Sequence, residues 1–303
     1  MWIRRSKTQN SKPQGTRARG RRAHGLPRRP RIGVALGGGM ARGWAHIGVL
    51  KAMADLGLAP DIVAGTSIGA VAGAAFACDR LDALEAWSRS LKALTFWRHM
   101  RLRALDGLFS STQFGRLMHQ QLGSHRIEDL PVPFGVVAAD LGSGQEVWLR
   151  HGDMAEAVRA SFAIPGLFAP VEIEGRPLAD GAIVNPVPVT LARALGADLV
   201  VAISLSGELL PGHWGRAGRH GQPNLFGSIA TAFHIMQHRL NRARLAGDPP
   251  DVQVSVACQH VGLMDFQRAE ELIALGDAAL RAAAPRIEAA LTLLAGGLEE
   301  HPA

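Results

Sequence analysis

DIVAGTSIGAVAGAAFA, residues 61–77, runs from a short apolar stretch through a serine between two glycines into a segment of small residues. DIVAG reads as a buried strand, and SIGAVAGAAFA begins a helix. Ser67 stands at the junction, inside AGTSIGA (64–70). Gly65 and Gly69 allow the sharp turn that projects a serine oxygen, which is the local requirement of a nucleophile elbow. Amide groups at the start of the helix favour negative charge beside Ser67. The same residues also fit an ordinary strand–helix turn with serine as N-cap. Taken alone, the stretch does not choose.

The surrounding chain repeats the pattern. RIGVAL (31–36) is an apolar strand ending in glycines, followed by GWAHIGVLKAMADLG (43–57), a helix with Ile47, Leu50, Met53 and Ala54 on one face and Gly57 as its stop. Two successive strand–turn–helix units predict a parallel sheet wrapped by helices. Residues 81–123 read as mostly helical. FGVVAADLGSGQEVWLR (134–150) reads as a hairpin turning at Gly142–Gly144. Asp153, three residues before Glu156, has the spacing of a helix N-cap. VPVTLARALGADLVVAISL (187–205) is a helix, a glycine stop and a buried strand. Residues 206–224 form a loop, residues 225–245 a long helix, 251–257 a strand, and the remainder is helical. No repeat or linker divides the chain. One α/β domain over residues 31–298 is expected, behind a basic leader at residues 1–30.

Composition bounds the function. The 303 residues are 47% hydrophobic, enough for one sizeable core. No run approaches the ~18–20 apolar residues of a membrane-spanning helix. Cys78 and Cys258 form no pair of metal-ligand spacing and read as buried free thiols. No metal and no cofactor are expected. Net charge is +7, but residues 1–31 hold eleven Arg or Lys and no acid, leaving 22 bases against 26 acids. The leader has no apolar stretch of the secretory kind. It reads first as a solvated, disordered tail and second as a contact for an anionic membrane surface; nucleic acid is not an expected partner. The expected location is cytoplasmic, with any membrane contact peripheral at the inner face. FWRHMRLRALDGLF (96–109) mixes aromatic, aliphatic and basic residues and fits either an interfacial helix or a core-packed one.

Two further motifs carry chemistry. GGGMARG (37–43) sits between strand and helix, where bare backbone N–H groups converge on one point. It matches neither nucleotide-binding glycine pattern, so an oxyanion hole partnering a serine is the better reading. LADGAIVNPVP (178–188) places Asp180 at the end of an extended segment with Gly181 making the turn. An Asp-Gly turn alone is common.

In order along the chain, GGGMARGWAHIGVL, GTSIGA, AIPGLFAPV (163–171) and DGAIVNPVPVTLARALGAD (180–198) resemble the bacterial patatin-like phospholipases. The resemblance is strong over residues 31–205 and loose beyond. It implies a three-layer α/β/α fold with a mostly parallel central sheet. It also implies a serine–aspartate dyad without histidine, Ser67 acting as nucleophile and Asp180 as base. Gly37, Gly38 and Gly39 would supply oxyanion amides, and Arg42 would help to hold their loop. Gly43, Gly65, Gly69 and Gly181 would support these elements. One departure affects the register. Counted back from Arg42–Gly43, Met40 takes the third glycine position; counted from the strand, Gly37–Gly39 fit with one residue extra. An amide from Met40 serves only if its backbone reaches the required angle. The implied substrate is a fatty-acyl lipid or ester: phospholipid, lysophospholipid or neutral ester. His46, His213, His220, His234 and His238 remain alternative third members. The rival readings are a Ser-His-Asp α/β-hydrolase and a non-enzymatic lipid-binding regulator on the same fold.

Overall fold

The computed structural model describes residues 29–91, 111–205 and 225–300. The basic leader up to residue 28, the whole FWRHMRLRALDGLF stretch (96–109) and the 206–224 loop with His213 and His220 lie outside the described residues.

An eight-stranded mixed sheet forms the middle layer. Its strands are β1 (Ile32–Leu36), β2 (Ile62–Thr66), β3 (Phe134–Asp140), β4 (Glu146–Leu149), β5 (Val171–Ile173), β6 (Arg176–Asp180), β7 (Leu199–Ser204) and β8 (Val252–Ser255). The order is β5-β6-β3-β2-β1-β7-β8, with β4 pairing β3 off that path. β3, β2, β1, β7 and β8 run parallel, whereas β4, β5 and β6 add antiparallel pairings at one side. The sheet is thus mostly parallel, as expected, but the β5–β6 hairpin is an addition. Its turn at Glu174-Gly175, both at positive φ, joins the strand that ends in Asp180.

The helices are α1 (Ala45–Asp55), α2 (Ile68–Ala77), α3 (Leu81–Ser90), α4 (Ser111–Leu122), α5 (Met154–Ser161), α6 (Val189–Ala194), α7 (Leu225–Gly247) and α8 (Ala269–Glu300). A 3-10 turn, Met40–Trp44, leads into α1. Alternation along each strand divides the interior into two cores. Ile32, Val34 and Leu36 of β1 face the larger core with α1, α2, α5 and α8, while Ala35 faces the smaller one with α6. β7 divides likewise, with Val201 and Ile203 on one side and Val200 and Ala202 on the other. Helices therefore cover both faces, and the three-layer architecture holds. As expected, Asp153 caps α5, its side chain accepting from the Glu156 amide at 2.8 Å.

The sheet order places the site. β1 and β2 are parallel neighbours, with Leu36 opposite Gly65. The glycine loop after β1 and the serine turn after β2 therefore emerge side by side, where open α/β sheets bind their ligands. β6 lies across β3 from β2 and carries Asp180 opposite Ala138. α1 and α8 pack closely at two glycines. A Cβ at Gly48 would lie 1.9 Å from Ile273 O, and one at Gly276 1.9 Å from Ala45 O.

Candidate active site

The turn after β2 forces Ser67 into φ 57°, ψ −124°. A non-glycine residue held there costs about 1–3 kcal/mol, which its surroundings must offset. Those surroundings are specific. The Ser67 N–H donates to Ser161 Oγ at 2.8 Å, and Ser161 Oγ donates onward to Val137 O at 2.6 Å. Glycines supply the clearance: a Cβ at Gly69 would fall 2.2 Å from Leu36 O, and one at Gly65 2.6 Å from Ala70 Cα. The pattern around Ser67 is therefore steric necessity at both flanking positions.

Asp180 arrives from the other side of β3. Gly181 lets the chain cross close to that strand, since a Cβ there would lie 2.2 Å from Val137 O. The Ala182 N–H donates to Asp180 Oδ1 at 2.8 Å. Ser67 Oγ donates to Asp180 Oδ2 at 2.5 Å. Both side chains are buried. Burial pushes the Asp180 carboxyl up to about 7, with the Ser67 and Ala182 hydrogen bonds only partly opposing it. A carboxylate poised near neutral pH is a far better base than one at its ordinary value. Asn185 ties this turn to the elbow: its carbonyl accepts from Thr66 Oγ1 at 3.0 Å, and its N–H donates to Gly181 O at 2.8 Å.

The glycine loop sits beside the elbow, and a Cβ at Gly38 would lie 3.5 Å from Ser67 Cβ. Its amides divide into two groups. Gly37 N–H donates to Ile203 O at 3.1 Å and Gly38 N–H to Pro186 O at 3.0 Å, so neither points to an empty acceptor position. The amides of Gly39 and Met40 take no hydrogen-bond partner among the described residues. Met40 adopts φ 50°, a left-handed value that suits glycine. The extra residue in the register is accommodated by a methionine in a glycine-like conformation.

Arg42 anchors the loop. It is 7% exposed, and its guanidinium donates to Val261 O at 2.8 Å and Gln259 O at 3.0 Å. Burial lowers its pKa from the ordinary value, with Cys258 and Asp265 partly restoring it. Ala41 N–H adds a bond to Leu263 O at 3.0 Å. Gly43 meets the elbow helix directly, since a Cβ there would strike Ile68 Cγ1 at 2.1 Å.

Among the described residues no histidine bonds to Ser67 or Asp180. His46 is fully buried and turned to the glycine loop, its Nε2 2.7 Å from Gly37 O. His234 and His238 lie along α7. Sequence reasoning did not find Ser161 or Asn185. Ser161 sits 94 residues from Ser67, and no spacing rule links them. Asn185 carried a weak signal, its place in the DGAIVNP stretch.

Comparison with known proteins places the chain among its relatives. The family model described as patatin-like phospholipase matches residues 34–193. An uncharacterized NTE family protein of Mycobacterium tuberculosis (strain ATCC 25618 / H37Rv) is 42% identical over 185 residues, covering 59% of this chain and 50% of its own. A lysophospholipase, NTE1, of Coccidioides immitis is 30% identical over 281 residues, covering 84% of this chain and 18% of its own. Patatin-like phospholipase domain-containing protein 6 of Homo sapiens is 33% identical over 184 residues, covering 58% of this chain and 13% of its own. The chain thus spans half the length of the mycobacterial relative and under a fifth of the other two. Among the described residues no helix is long and apolar enough to cross a membrane. The chain belongs to the patatin-like phospholipase family.

Proposed function

We propose that this chain hydrolyses fatty-acyl esters, in the manner of a phospholipase A or lysophospholipase, through Ser67 and Asp180. The observation that carries the reading is the 2.5 Å hydrogen bond from Ser67 Oγ to Asp180 Oδ2. Ser67 Oγ attacks the ester carbonyl carbon while its proton passes to Asp180 Oδ2. Negative charge then develops on the former carbonyl oxygen. The amides of Gly39 and Met40 stabilise it, in a loop held by Arg42, and Gly37 and Gly38 serve as its frame. The tetrahedral species collapses, the ester oxygen takes the proton back from Asp180, and the alcohol leaves. Water attacks the resulting acyl-Ser67, giving its proton to Asp180, and the fatty acid departs as Ser67 is regenerated.

The lipid character of the substrate is supported by family membership and by the names of the lysophospholipase relatives. Residues 31–298 act as the hydrolase unit, and residues 1–30 as an appended basic segment. With eleven basic residues and no acid in 1–31, that segment suits peripheral contact with an anionic inner membrane face from the cytoplasm. The test is hydrolysis of a panel of phospholipids, lysophospholipids and neutral esters by the parent and by Ser67→Ala, with phosphonate labelling of the serine. Hydrolysis and labelling that both vanish in Ser67→Ala support the reading. Labelling of another residue, or no hydrolysis of any ester, contradicts it.

A further inference from the structure

His46 is a buried titratable group for which the proposed reaction has no step. Its ring lies in the first turn of α1 with no exposure to solvent. Nε2 is 2.7 Å from Gly37 O, and Nδ1 has no hydrogen-bond partner among the described residues. A carbonyl oxygen can only accept, so the proton sits on Nε2 and Nδ1 carries the lone pair. Burial pushes the ring down to about 4, which keeps it neutral across the physiological range. A buried imidazole with one nitrogen orphaned is a costly way to fill apolar space. Its one hydrogen bond among the described residues goes to the glycine loop.

That bond acts on a planar unit. The carbonyl of Gly37 and the N–H of Gly38 belong to one peptide and point in opposite directions. His46 holds the carbonyl end, and Pro186 O takes the N–H end at 3.0 Å. The peptide is clamped at both ends. The next two amides, of Gly39 and Met40, are the ones without partners among the described residues. Two glycines in succession have no side chain to resist rotation, so the direction of those amides depends on the clamp upstream.

We infer that His46 is a positioning residue for the oxyanion loop: through its neutral Nε2–H it fixes the Gly37 carbonyl and thereby aims the Gly39 and Met40 amides. The inference rests on the esterase reading above. His46 is neither base nor triad member, because the Ser67 proton goes to Asp180. Its contribution is made to transition-state charge, so it acts on kcat and leaves KM almost unchanged.

The experiment compares His46→Leu, His46→Gln and Ser67→Ala with the parent on a soluble short-chain aryl ester, using folded protein with matching thermal transitions. Glutamine keeps an N–H donor for the Gly37 carbonyl, and leucine removes it. The expected result for His46→Leu is a fall in kcat of about tenfold or more with KM within about twofold, since a single oxyanion donor is worth ~10²–10³. His46→Gln should recover most of that loss and keep the parent's pH profile. A smaller fall, a change confined to KM, or a glutamine variant no better than leucine overturns the inference.

Nitrogen NMR of histidine-labelled parent protein covers the case in which His46→Leu does not fold. The ring should show a protonated Nε2 and a bare Nδ1 from about pH 5.5 to 8.5; a proton on Nδ1, or titration in that range, overturns the inference. Failure of the esterase reading is separately visible. If Ser67→Ala retains the parent rate, the nucleophile assignment falls. If Ser67→Ala is dead while folded His46→Leu is unaffected, only the positioning role falls.

Discussion

The Ser161 hydroxyl accepts the backbone N–H of Ser67 at 2.8 Å and donates its own hydrogen to Val137 O at 2.6 Å. Ser67, at φ 57°, ψ −124°, lies just past the end of β2, and among the described residues its N–H has no strand partner. Ser161, arriving on α5, takes it instead. Ser161→Ala leaves a buried N–H and a buried carbonyl without this partner, at a cost of about 1–3 kcal/mol. The expected outcome is a lowered thermal transition together with a kcat reduced about tenfold or more, because a displaced nucleophile loses its attack geometry. Unfolding curves and steady-state kinetics on a soluble ester check it; parent-like values for both would refute the buttress.

The pH dependence follows from Asp180. Its carboxyl is pushed up to about 7 by burial, against 3.8 ordinarily. In the proposed reaction hydrolysis needs the carboxylate, so kcat/KM should rise with pH through about 7 and level off above it. Stability runs the other way. Between those two values the native state binds more protons than the unfolded chain, so stability declines as pH rises across the window. Asp180→Asn should therefore be more stable than the parent above pH 7 by an amount on the order of a few kcal/mol, a gain that disappears near pH 4. Thermal melts across that range would contradict this if the variant were less stable at pH 8.

Met40 tests the loop register. At φ 50° a methionine tolerates a conformation that glycine adopts freely and a β-branched residue resists. Met40→Gly should keep kcat within about threefold of the parent, whereas Met40→Val should lose about tenfold or more with intact folding. Equal activity of the two variants would mean that the Met40 backbone does not matter to the reaction.

Much of this was legible from local pattern, and the boundary is instructive. The glycines at 65 and 69 marked Ser67 as a sharp-turn position, because close packing at both leaves no room for a Cβ, but they did not by themselves separate an elbow from an N-cap. Asp180 did not stand out through its Asp-Gly turn, which is common in loops. Only the resemblance across several motifs singled it out, and the structure adds why Gly181 follows it, since a Cβ there would meet β3 at Val137 O. The parallel strands and their helices followed from apolar runs ending in glycine turns. The oxyanion register was not legible. Which amides remain open depends on Ile203 and Pro186, carbonyls supplied from 166 and 148 residues downstream of Gly37 and Gly38. Of the β5–β6 hairpin only the end at Asp180 was read as extended, although Glu174-Gly175 marked its turn. Ser161 was hidden for the same reason as the amide register: its partner is distant in sequence.

The α1–α8 crossing offers a test of the scaffold apart from the chemistry. Exchanging a helical glycine for alanine ordinarily gains about 0.5–1 kcal/mol. At Gly48 and Gly276 the new methyl would lie 1.9 Å from a backbone carbonyl oxygen, so the helices must separate. Overpacking of this kind costs about 1–3 kcal/mol and should outweigh the gain. Gly48→Ala and Gly276→Ala are each expected to lower the thermal transition; an increase in either would show that the contact yields easily.

The central claim is that Asp180 takes the Ser67 proton with no histidine between them. The most direct measurement is ester hydrolysis by folded Asp180→Asn beside single Gln substitutions of His213, His220, His234 and His238. The dyad predicts that Asp180→Asn loses at least ~10²–10⁴-fold, as expected for a positioned general base, while each of these histidine variants stays within about tenfold of the parent. A triad would make one histidine change as damaging as loss of Ser67, because its members act as a unit. A histidine variant that is dead and folded, beside an Asp180→Asn that keeps substantial activity, would contradict the account.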